Sequence, residues 1–97
     1  MDKRGPKFTM GQFVMTSRVA GRVESEVPFS KFVFTCVGRH LRGDWGDLDK
    51  HDRKENEFGL KNGFRLLSSY TCKGGTKIWI ITEWDRSVTT VLFPDEY

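Results

Sequence analysis

His40, Glu83, Arg86 and Thr89, with Tyr70, supply the residue types that a metal-free ribonuclease site uses: a general base, a phosphate clamp, and hydroxyl or aromatic donors. Their spacing forms no compact motif, and similar sets arise by chance in basic domains of this size. The nucleophiles Ser68, Ser69, Cys36 and Cys72 could be served by His40 or His51 as base. None of them sits in a GxSxG elbow or a family-type cysteine motif. Cys36 and His40 fall four apart on one helical face, but no second Cys/His pair completes a zinc site. The carboxylates of GDWGDLDKHD fail a calcium loop on spacing. Counted from Asp47, the position that needs Gly is Asp52 and the one that needs Glu is Phe58. No metal and no cofactor are expected.

Charge is a stronger signal than catalysis. Residues 1–43 carry eight Lys or Arg and three Asp or Glu, a net of +5, whereas residues 44–57 carry three and six, a net of −3. Lys3, Arg4, Lys7, Arg18 and Arg22 could neutralise phosphates, although Phe8 and Phe13 are not interleaved among them as a stacking platform. Asp44, Trp45, Asp47, Asp49, Asp52 and Glu55 could form a contact surface for a basic partner protein, or simply a solvated helix face. Trp45, between two Gly-Asp pairs, is either a plug packed on the domain or an exposed interface anchor.

The elements that position these groups follow from hydrophobic period. Residues 8–16 read as a short strand or extended arm. Thr16 can cap a helix over residues 17 to about 24, which Gly21 weakens by roughly 1 kcal/mol. Phe29, Phe32, Val33, Cys36, Val37 and Leu41 then make one apolar stripe on a helix of about four turns, with Pro28 in its first turn and Gly43 at its stop. A polar helix capped by Asp47 or Asp49 runs to Asn62-Gly63, with Asp49–Arg53 and Glu57–Lys61 as supporting pairs. From Phe64 the period becomes two. Turns at residues 73–76 and at Asp85-Arg86 make an antiparallel meander, with Arg86 paired to Asp85 or Glu83, and Leu66, Ile78, Ile80, Val88 and Val91 are its expected core. The expectation is therefore one α+β domain over residues 1–97. N-terminal helices pack on a C-terminal antiparallel sheet of three to four strands, and residues 1–7 form a flexible basic arm.

No apolar run approaches the roughly 18 residues of a membrane span, and the first residues lack the apolar stretch of a secretory signal. With only two cysteines, the reading is a cytoplasmic protein with reduced thiols.

The segments GQFVMT, FVFTCVGRH, GDWGDLDKHDRKENEFGLKNGFRLLSSY and KIWIITEWDRSVTTVLFPDEY, in this order, resemble a family of small proteins of mobile genetic elements. Members are labelled plasmid-related and in places a type I restriction subunit, and the family has Ala where this chain has Trp84. The resemblance brings no catalytic residue with it. It implies an accessory protein that binds and inhibits a host defence factor, of the anti-restriction or anti-CRISPR kind. The ending RSVTTVLFP after helices also looks like the barnase, EndoU and RelE group of ribonuclease and toxin domains, a likeness of fold alone.

Overall fold

A computed structural model describes residues 5–97. Thr16 ends a short strand, β1 (Gln12–Met15), and its hydroxyl accepts from the Val19 amide to start α1 (Ser17–Ser25). Pro28 lies in the first turn of α2 (Val27–Leu41), where its missing N–H costs nothing. The polar helix α3 (Lys50–Asn62) is capped by Asp49, whose carboxylate accepts from the Asp52 amide, and stops at Gly63 in the left-handed conformation. Strands β2 (Leu66–Thr71), β3 (Lys77–Thr82) and β4 (Val88–Leu92) form the meander, and a 3-10 turn (Pro94–Glu96) follows. Helices first and strands afterwards give the expected α+β order.

The sheet order is β1-β4-β3-β2, with β2–β3 and β3–β4 antiparallel and β1–β4 parallel. The sheet is thus mixed rather than wholly antiparallel. The meander leaves one side of β4 free, and the amino-terminal strand fills it. Running parallel, β1 ends beside the end of β4, where the Thr16 amide reaches the Val91 carbonyl and the chain can turn at once into α1.

Alternation divides the sheet into two faces. Leu66, Ser68 and Tyr70 of β2 register with Thr82, Ile80 and Ile78 of β3, and these with Thr89 and Val91 of β4. This inner face meets Val19, Phe29, Val33, Cys36 and Val37 of α1 and α2 in the core. Val88 is half-buried on the opposite face, one residue out of step with the expected core, because Thr89 and Val91 are the inward positions. The outer face carries Leu67, Ser69, Trp79 and Ile81. Among the described residues no helix is long and apolar enough to cross a membrane.

The β2 edge is closed by groups outside the sheet. The Asn56 side-chain amide donates to the Leu67 carbonyl at 2.6 Å and accepts from the Leu67 amide at 3.2 Å, copying a neighbouring strand. Two residues on, Ser69 exchanges backbone bonds with the Trp45 carbonyl and the Asp47 amide. Gly46 bridges to Ser69 there at φ 76°, and a Cβ on it would overlap the Ser69 carbonyl oxygen.

Candidate functional site

Closing the β2 edge lays α3 and the turn before it along the outer face of β2 and β3, and a groove of about 600 Å3 runs between them. Asp47, Asp49, Asp52 and Glu55 stand on its helix side, and Leu67, Ser69 and Trp79 belong to its sheet side. Asp47 is fixed by its amide on the Ser69 carbonyl and by the Thr71 hydroxyl, which donates to its carboxylate at 2.9 Å. Asp49 and Asp52 occupy the first turn of α3, where the positive helix end favours carboxylates. Arg65 and Lys77 also line the groove, so four carboxylates face two cations there.

The structure therefore brings together four of the six acidic-surface candidates. Asp44 belongs to a different assembly. Its carboxylate takes two hydrogen bonds from Arg39, at 2.7 and 3.2 Å, and one from the Gly46 amide. The Arg39 guanidinium holds its carboxyl below the usual carboxylate range. Trp45 is 4 % exposed, with its indole N–H donated to Glu57 at 2.7 Å. It is the plug and not the surface anchor, because the two glycine turns flanking it fold the indole inward beside His40 and Phe8. Neither expected pair on α3 supplies its support: Asp49 is engaged in capping, Arg53 donates to the Leu48 carbonyl, and Glu57 accepts from Trp45.

The ribonuclease candidates are mostly interior. His40 and Thr89 are fully buried, and both imidazole nitrogens are engaged, Nδ1 with Ser68 and Nε2 with Thr82 at 2.9 Å. Thr89 donates to the Met10 carbonyl at 2.7 Å, so its oxygen must accept from Thr82, 2.7 Å away. Thr82 in turn must accept from Nε2–H, which leaves Nδ1 to accept from the Ser68 hydroxyl. One consistent chain of donors thus fixes the tautomer and runs from β2 through α2, β3 and β4 to the segment before β1. Burial, aided by the Arg86 charge, pushes the His40 pKa down to about 4. The ring is neutral and closed to solvent, which suits a structural pin and not a base in contact with substrate.

Arg86, at φ 61°, donates to the carbonyls of Phe64, Gly59 and Glu83 rather than to the carboxylates of Asp85 or Glu83. Those carbonyls end α3 and β3, so the guanidinium fastens the β3–β4 turn to the helix stop. Asp85 bonds the Ser87 hydroxyl and amide instead. Tyr70 is buried and donates to the Asp44 carbonyl at 2.6 Å. Burial likewise pushes the Cys36 thiol up to about 12, leaving it a protonated core group.

Among the described basic candidates, Lys7 lies apart from Arg18 and Arg22. Lys3 and Arg4 lie outside the described residues. The Lys7 amide is tethered to the Leu41 carbonyl at the end of α2. Arg18 and Arg22 line a separate cleft with Thr76, Lys77 and Phe93, where Arg18 pairs with Asp95 and Arg22 with Glu26. Their guanidinium groups lie over Phe93 and Phe29, so both help cover the core.

Three site features were not foreseen from sequence: Asn56 as the edge cap, Trp79 in the groove, and Ser68 and Thr82 as partners of His40. For the last a signal existed, since Ser68, Thr82 and Thr89 are polar at inward positions of the alternation and must meet a buried partner. No known protein family, curated protein or solved structure matches the chain.

Proposed function

We propose that the protein is a non-enzymatic binder that receives a basic segment of a partner protein in the groove between α3 and the outer sheet face. The observation that carries this reading is the convergence of Asp47, Asp49, Asp52 and Glu55 on one concavity shared with Trp79. Carboxylates on one side attract Arg and Lys, and an indole on the other gives a guanidinium a face to stack on. The family resemblance suggests the kind of partner, a host or defence-system protein whose nucleic-acid channel is basic. Carboxylates spaced along a helix would compete there for the surface that phosphates use. Attraction of this kind speeds encounter and weakens as salt is added.

The test is the double variant Asp52→Lys/Glu55→Lys. Asp49 is left intact because its carboxylate caps α3. The wild-type chain, used to capture proteins from nuclease-treated host extract, should retain a protein partner that the double variant loses while keeping its circular dichroism spectrum. Equal retention by the variant would remove the groove from the function. Cleavage of labelled RNA by the purified wild type, retained in the presence of EDTA, would replace the binding reading with a ribonuclease.

A further inference from the structure

The two edges of the sheet are treated differently. On the β2 edge, Asn56 and residues 45–47 occupy the backbone groups of Leu67 and Ser69. Among the described residues the β1 edge has no such cover. The Gln12 and Thr16 amides point inward to the carbonyls of Ser87 and Val91, so parallel alternation turns the amides and carbonyls of Phe13 and Met15 outward. Among the described residues these four groups have no hydrogen-bond partner. Edge strands are usually kept short or guarded by Lys, Pro, a bulge or an inward charge; Gln-Phe-Val-Met is short, at four residues, but carries none of the other guards. Beside the edge, Phe34 of α2 is 50 % exposed and packs on Phe13 with ring centroids 6.0 Å apart.

We propose that β1 pairs antiparallel with β1 of a second copy across a two-fold axis, joining two four-stranded sheets into one of eight. A second copy fits because the edge is complementary to itself in one register. If Phe13 faces Met15 of the other copy and Met15 faces Phe13, each pair exchanges two backbone hydrogen bonds and all outward groups of both strands are satisfied. Val14 then faces its own symmetry mate as the close, non-hydrogen-bonded pair at the axis. The two Phe34 rings flank the junction and lose exposed apolar surface. The pairing is independent of the acidic groove, which lies at the far edge and would be displayed once at each end of the joined sheet.

Light scattering on a sizing column should give twice the 11.2 kDa chain mass for the wild type. Val14→Lys, which sets two like charges against each other at the axis, should return the single-chain mass with an unchanged circular dichroism spectrum. In a Cys72→Ser background, Val14→Cys should form an intermolecular disulfide under mild oxidation, because paired Cα atoms at such a site lie about 4.5 Å apart, within disulfide reach. Gln12→Cys should not, since the register places it opposite Thr16. A wild type at single-chain mass up to millimolar concentration would overturn the proposal. So would cross-linking of Gln12→Cys as fast as Val14→Cys.

Discussion

Acid should destabilise this protein through His40. The free imidazole titrates near 6.5, whereas in the fold burial and the Arg86 charge hold it at about 4. The folded pKa is the lower one, so between these values the unfolded chain binds a proton that the folded chain refuses. Stability from this group is therefore complete above pH 6.5, falls as pH drops from 6.5 toward 4, and changes no further below that. The shift corresponds to about 3 kcal/mol, with a slope of at most about 1.4 kcal/mol per pH unit. A second proton on the ring would also oblige Ser68 to accept where it now donates, breaking the polarity of the chain that ends on the Met10 carbonyl. Against a total stability of about 5–15 kcal/mol, such a loss lowers the melting temperature by roughly 12–24 °C. Urea titrations at pH 7, 5.5 and 4 would measure it, with His40→Met as reference. The variant is less stable at every pH because Ser68 and Thr82 lose their partner, but it lacks the imidazole contribution to the slope. Parallel loss of stability in the two proteins across this window would refute the reasoning.

Trp45→Ala should cost about 3–5 kcal/mol in denaturant unfolding, as expected for removing a plug with its indole bonded to Glu57, whereas Trp45→Phe should keep most of the packing. Gly46→Ala should be far worse than Gly63→Ala, although both positions have positive φ. At Gly63 a methyl meets open space and the cost is about 1–2 kcal/mol, while at Gly46 it overlaps Ser69 and Tyr70 and must break the edge bridge, which thermal melts would separate. Asn56→Ala should cost about 1–3 kcal/mol and speed hydrogen exchange at the Leu67 amide; Asn56→Asp should not rescue it, because a carboxylate repels the Leu67 carbonyl.

Local chemistry was legible in the sequence wherever a single element sufficed to express it. Thr16, Pro28, Asp49 and Gly63 mark helix ends because a cap or a left-handed stop depends on residues within one turn. The stripe from Phe29 to Val37 and the alternation after Leu66 located the core for the same reason, since each periodicity is a property of one segment. The acidic band was visible as composition. Its division was not: Asp44 went to Arg39 and Trp45 into the core, while Asp47 to Glu55 met Trp79, a partner more than twenty residues away. The sequence also presented His40 as a chemical group, and only the fold made it a pin between Ser68 and Thr82. Which strand accompanies β4, and in which direction, depended on which edge the meander left open and where α1 had to begin. Hydrogen-bond partners across a sheet and desolvation in its core are set by groups distant in the chain, so they exist only once the elements have packed.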